Sequence, residues 1–184
     1  MAIKGITETS QYLTFKLDKE VYALGITQVR EVLDYTDITK VPGMPVFMRG
    51  IINLRDNVVP VIDLKLKFEL PETQNTVDTC IIILDFIMNK EPFLMGILAD
   101  SVQEVLTLEP DQVEPAPRMG VGINPGFIKG IGKKDKKFTI ILNLDKLFST
   151  EEIESVTGIE QEAPPAGEET QGLVSPESGT KEEM

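Results

Sequence analysis

The feature that most limits what this chain can fold into is that it contains much of itself twice. "PVFMRGIINLRDNVVPVIDLKLKF" (45–68) aligns without a gap on "PGFIKGIGKKDKKFTIILNLDKLF" (125–148), offset by 80 residues. Pro45 meets Pro125, Phe47 meets Phe127, Arg49-Gly50-Ile51 meets Lys129-Gly130-Ile131, Asp63-Leu64 meets Asn143-Leu144, and Phe68 meets Phe148. Upstream, "QVREVL" (28–33) echoes "SVQEVL" (101–106) at an offset of 73, each after a Gly-Ile pair at 25–26 and 96–97, so the loops differ in length. Two related halves of about 70 residues would each be marginal alone. Packed together they bury more surface and create a cleft, a favoured place for binding.

The local periodicity is that of short strands. In "YLTFKL", Leu13, Phe15 and Leu17 share one face and Tyr12, Thr14 and Lys16 the other. Asp18-Lys19 turns the chain into "EVYALGI", which predicts a hairpin. Further strands are expected over 29–34, 50–55, 57–63, 79–86, 93–99, 102–108, 127–132 and 137–143. Gly, Pro and Asp/Asn punctuate them in the rhythm of small barrels or sandwiches. One helix is expected, over 144–156, where Leu144, Leu147, Phe148 and Ile153 can share a face; short turns are expected near 44–48 and 109–114. The domain reading is one folded unit over 1–159, made of two halves joined near 69–78 with strand exchange between them allowed. The acidic segment 160–184, seven glutamates against one lysine, has too little apolar area to offset its ordering entropy.

Charge and composition exclude several functions. A net charge of -12 and a pI near 4.5 argue against a phosphate backbone as the main partner. The longest apolar run, Cys80–Leu84, falls far short of the ~18 residues of a membrane span, and the start of the chain lacks a signal-peptide core. A cytoplasmic protein is expected. With no histidine, no His-based nucleophile pair or metal site can form. The single cysteine, Cys80, lies in an apolar run and is expected to be buried.

The remaining polar signals are few. Asp56, Asp63, Asp85 and Asp100 form no metal-loop spacing and read as solvated loop or strand-end acids. "GVGINPG" (120–126) lacks the Gly-Lys-Ser/Thr ending of a phosphate loop and reads as a crossing loop; "KKDKK" (133–137) reads as a solvated turn. Arg55 is different. Asp56-Asn57 serves the turn, and nothing about a turn needs arginine beside it, whereas a guanidinium suits an interface. If Val29 and Glu31 share a face of their strand, that face is apolar beside acidic, more like a docking rim than a core wall.

"YLTFKLDKEVYALGITQVREVL", "ITKVPGMPVFMRGIINLRDNVVPVIDLKLKF", "MGILADSVQEVLTL" and "VEPAP" together resemble the CheW chemotaxis coupling proteins, over about residues 10–156. "RGIINLR" followed by "VVPVIDL" is the most specific part. The resemblance implies a mainly all-β fold of two small five-stranded β-barrels side by side. It implies a non-enzymatic adaptor, without cofactor or metal, that couples the cytoplasmic tip of chemoreceptors to the regulatory domain of a CheA-type histidine kinase, with CheW-like ring partners. A CheW-like scaffold in another receptor-kinase pathway, such as surface motility, uses the same residues. By motif, Val29 and Glu31 fall on the receptor-facing segment, and Met48, Arg49, Gly50, Asn53 and Arg55 in the stretch associated with partner binding. Many relatives carry glycine after "NLR", where this chain has Asp56.

Overall fold

A computed structural model describes residues 8–88, 90–116, 125–149 and 151–156. The acidic segment 160–184 and most of the glycine-rich stretch 120–126 lie outside the described residues.

Each strand expected from periodicity is present. In chain order they are β1 (Ser10–Leu17), β2 (Glu20–Gly25), β3 (Val29–Asp34), β4 (Met48–Leu54), β5 (Asn57–Ile62), β6 (Cys80–Met88), β7 (Glu91–Ala99), β8 (Ser101–Leu108), β9 (Val113–Glu114), β10 (Ile128–Lys134) and β11 (Lys137–Leu142). Short helices follow each second hairpin: α1 (Leu64–Lys67) and α2 (Leu144–Leu147). The single helix expected over 144–156 is two pieces. Phe148 is extended and buried, and a second helix occupies 151–156. Ser149 and Glu152 start it with a reciprocal cap, each side-chain oxygen accepting the other's backbone N–H.

The strands form a six-stranded sheet, β8-β1-β2-β11-β10-β9, and a five-stranded sheet, β3-β6-β7-β5-β4. The two orders correspond strand for strand, β8-β1-β2-β11-β10 answering β3-β6-β7-β5-β4. Each sheet has one parallel pair, β2 with β11 and β7 with β5, and the rest antiparallel. The leading hairpin of each half therefore lies in the sheet of the other half. The parallel registers Ile141↔Ala23 and Val61↔Gly96 make Ala23 the counterpart of Gly96, so the two Gly-Ile pairs do not coincide in space.

The two sheets answer to the two small five-stranded barrels expected, the first with β9 as a sixth strand, and neither is closed by a continuous ladder. Each curls until its edges meet over a short contact. In the five-stranded sheet, Thr39, in the crossing after β3, exchanges backbone hydrogen bonds of 2.9 and 2.8 Å with Ile51 of β4. In the six-stranded sheet β9 does the same to β10, through Glu114↔Ile131. Pro42 and Pro45 in one crossing and Pro110 in the other cannot donate to a ladder and keep these contacts short. Gly50 has φ +145, and a Cβ there would stand 2.1 Å from the Thr39 carbonyl oxygen, so only glycine permits this closure.

The core explains the unbroken apolar runs. Along β6, Ile81 and Ile83 feed a small core inside the five-stranded sheet, with Ile52, Val59, Val61 and Leu98. Ile82 and Leu84 feed a larger core shared by both sheets, with Phe15, Leu17, Leu24, Met95 and Ile97. Tyr12, Ala23, Leu108, Val113 and Ile141 form the small core of the six-stranded sheet. Strands buried on both faces need no polar alternation. In the shared core Tyr22 stacks between Phe15 and Phe68, and burial, with Glu20 and Asp18 nearby, pushes its hydroxyl pKa up to about 12. Cys80 is only partly buried, at the end of the run rather than within it, because it starts β6.

Candidate functional site

The β4–β5 hairpin carries the first element of the site. Leu54 pairs with Asn57, leaving Arg55 and Asp56 as the two turn residues. Their φ values of 49 and 69 are both left-handed, the geometry of a type I′ turn. The turn thus sits one residue earlier than the Asp56-Asn57 expected. Asp56 adopts the backbone that glycine would provide, and Asn53 supports it, its Oδ1 accepting the Asp56 N–H at 2.9 Å. Asn53 is exposed at the surface beside the turn.

The second element is β3. Its pairing with β6 is interrupted by a bulge between Val29 and Glu31, which re-aims the side chains there. Val29 packs partly against the shared core. Glu31 reaches across to Arg55, and its two carboxylate oxygens accept one hydrogen bond from each Nη of the guanidinium, both at 2.7 Å. β3 and β4 are the opposite edges of their sheet, so this fork-to-fork pair bridges the seam where the curled sheet meets itself. The Arg55 side chain is 68% exposed and Glu31 23%. The Arg55 hydrogen bond, with Arg30 adding its charge, holds the Glu31 carboxyl below its ordinary pKa. Arg30 is itself exposed and pairs with Asp85 at 2.9 Å. The sequence reading passed over Arg30 and took Asp85 for a solvated acid; the i, i+1 charge pair Arg30-Glu31 was the available signal.

Met48, Arg49 and Gly50 lie in the same strand but serve it from within. Met48 is buried in the shared core. Gly50 makes the closing contact with Thr39. Arg49 points its guanidinium at Asp63 (3.0 Å), the Thr73 carbonyl (3.1 Å) and Glu72 (3.4 Å). Asp63, expected to be a solvated acid, is fully buried. Its oxygens accept from Arg49, from the Thr73 N–H and hydroxyl at 2.9 and 2.8 Å, and from the Lys65 N–H at 3.1 Å. Burial of such a group is tolerated because its lone pairs are satisfied. Of the residues the motif singled out, Val29, Glu31, Asn53 and Arg55 thus stand together at one surface, and Met48, Arg49 and Gly50 build the strand beneath.

The duplication supplies an internal control. At the offsets of 73 and 80, Glu31 corresponds to Glu104, Arg55 to Asp135 and Asn53 to Lys133. The second hairpin keeps the turn, with φ 53 at Asp135 and 64 at Lys136. Two acids replace the bridging pair, however, and Lys133 instead pairs with Glu114 at 2.8 Å. The repeat preserves the scaffold in both halves and the Glu–Arg platform in one.

Among the described residues, no group of three or more His, Cys, Asp or Glu could hold a metal ion, and no helix is long and apolar enough to cross a membrane. The CheW-like domain family matches residues 11–152. The chain belongs to the CheW-like family. The CheW-like domain here is 32% identical to the chemotaxis protein CheW of Klebsiella aerogenes over 157 residues, covering 85% of this chain and 92% of the relative. It is 29% identical to that of Treponema pallidum, covering 83% and 89%. Among solved structures, the crystal structure of the scaffolding protein TtCheW from Thermoanaerobacter tengcongensis matches with a TM-score of 0.68 and 36% identity, over 78% of this chain and 94% of that one.

Proposed function

We propose that this protein is a chemotaxis coupling adaptor that holds a chemoreceptor and a CheA-type histidine kinase in one array, using the Val29, Glu31, Asn53 and Arg55 surface as its receptor contact. It works by binding and not by turnover. The observation that carries the reading is the Glu31–Arg55 platform, exposed on the half of a CheW-like domain that retains it. A fixed guanidinium fork beside a partly apolar strand suits the polar and apolar faces of a helical hairpin, a helix-in-groove contact. The second surface of the adaptor meets the kinase regulatory domain, and pairing through similar barrels propagates into rings. Effects on the kinase follow from which receptor state the adaptor prefers. The protein works at the cytoplasmic side of the membrane without entering it.

The test is titration of the full chain with a receptor-tip helical hairpin and, separately, with a CheA regulatory domain. Arg55→Glu is expected to weaken receptor binding by about tenfold or more while the chain stays folded. The double exchange Glu31→Arg with Arg55→Glu regains an ion pair of reversed sense and is expected to stay weak. Full recovery by the double exchange would mean the pair only holds the seam, and would remove Arg55 from the contact. Wild-type chain that binds neither partner would sink the adaptor reading.

A further inference from the structure

The two halves differ in what covers the end of their last strand. In the first half the linker after α1 does so: Thr73 donates its N–H and hydroxyl to Asp63, its carbonyl accepts from Arg49, and Glu72 pairs with the same guanidinium. In the second half, the residues answering Arg49 and Asp63 are Lys129 and Asn143. They line a recess of about 190 Å³ together with Tyr12, Gly25 and Gln28. The chain after α2 enters the helix at 151–156, while Asn143 caps no helical N–H.

The sequence holds a second copy of the segment that fills the first seat. Glu72-Thr73-Gln74 and Val77 recur, at the same spacing, as Glu169-Thr170-Gln171 and Val174. We propose that the segment Glu169–Val174 of the acidic tail docks into the recess at Lys129 and Asn143 of its own chain, as the linker docks at Arg49 and Asp63. Lys129 is exposed and takes the Glu169 carboxylate in the way Arg49 takes Glu72. The Asn143 amide oxygen accepts the Thr170 N–H or hydroxyl, as the Asp63 carboxylate does for Thr73, and its NH2 can donate to the Thr170 carbonyl. Val77 is fully exposed, so Val174 marks the repeat and is not an anchor. Asp145 also lines the recess. Lys129 must offset that charge as well as take Glu169, which makes this seat weaker than the first and readily opened.

Residues 157–168 separate the last described residue from Glu169, and an extended chain of that length spans about 40 Å. Tethering raises the local concentration of the segment to the millimolar range, enough for a weak contact to be populated. Gln28, in the recess wall, precedes Val29. On the adaptor reading, docking therefore sets an acidic segment beside the receptor-facing edge; the docking itself is independent of that reading.

The experiment places a nitroxide on Ser175→Cys in a full chain carrying Cys80→Ser, and reads amide signal broadening by NMR with no partner present. Broadening is expected at Gly25, Gln28, Lys129 and Asn143 and not at Asp56. It should fall several-fold with Glu169→Lys plus Thr170→Val, tail changes that leave the folded part intact, and likewise with Lys129→Glu. Even broadening over the whole surface, or broadening that survives the tail changes, would overturn the proposal. So would broadening that appears only when isotope-labelled chain is mixed with a separately spin-labelled copy, which would assign the contact to two molecules.

Discussion

Arg55 and Asp56 both hold left-handed backbone that side chains with a Cβ resist, and the second hairpin repeats this at Asp135 and Lys136. Such a residue costs about 1–2 kcal/mol relative to glycine. Asp56→Gly relieves that strain, while the freer unfolded chain takes back about 0.4–1 kcal/mol. A net gain of roughly 0.5–1 kcal/mol is expected, seen as a higher denaturant midpoint at unchanged slope. The type I′ geometry stays, so Arg55 should keep its fork on Glu31. The sequence led to the right hairpin and to Arg55, but to the wrong turn pair, because Asp-Asn is the better turn dipeptide and the ladder Leu54↔Asn57 overrides it. Asp63 was beyond reach for a different reason. Its burial depends on Arg49 and on Thr73, contacts set by packing across the linker that no local pattern records. Its match to Asn143 in the repeat was the one hint that this position needs hydrogen bonds.

At the scale of elements, an ion pair between Lys67 and Glu152 ties the helix at 151–156 to α1. Lys67 donates to both oxygens of Glu152 at 2.7 and 2.6 Å and lies 4.9 Å from the centre of the Phe47 ring, with Phe127 and Phe148 close by. Burial raises the Glu152 carboxyl, but the Lys67 hydrogen bond and the Ser149 cap outweigh it and leave the pKa below its ordinary value. A carboxyl depressed in the fold contributes stability above its unfolded pKa and loses it as pH falls through the folded value. Glu152→Ala is expected to cost about 2 kcal/mol near neutral pH, since it strands a mostly buried ammonium. The cost should shrink on acidification, and amide exchange at 151–156 should accelerate first. The Ser149-x-x-Glu152 signature of this helix start was present in the sequence, where the apolar spacing of Leu144, Leu147, Phe148 and Ile153 instead suggested continuity. α1 escaped notice because "LKLK" alternates like a strand; it is helical because Asp63 accepts the Lys65 N–H at its first turn.

On the scale of the molecule, the exchanged hairpins make the two halves mutually dependent. The shared core draws Phe15, Leu17 and Leu24 from the first half's β1 and β2 and Ile82, Leu84 and Ile97 from the second half's β6 and β7. Neither half can therefore complete a sheet alone. Fragments 1–75 and 76–184 are expected to lack cooperative melting separately and to regain strand signal by circular dichroism when mixed in equal amounts. The intact chain should unfold in a single transition. A fragment that melts cooperatively alone would contradict this dependence. The repeat made two related modules legible and left room for strand exchange, but not which strands exchange, because periodicity reports which residues are buried and says nothing about which sheet buries them.

The exchange also fixes an order of events on the ribosome. The five-stranded sheet, β3 to β7, has all its strands once Ala99 has emerged, but β1 and β2 must wait for β8, β10 and β11. For the time it takes to translate residues 26–100, the first hairpin has apolar side chains on both faces and no further strand of its sheet to join. The nascent protein is thus most exposed to misassociation, and most in need of a holding chaperone, while the first hairpin waits for these partner strands.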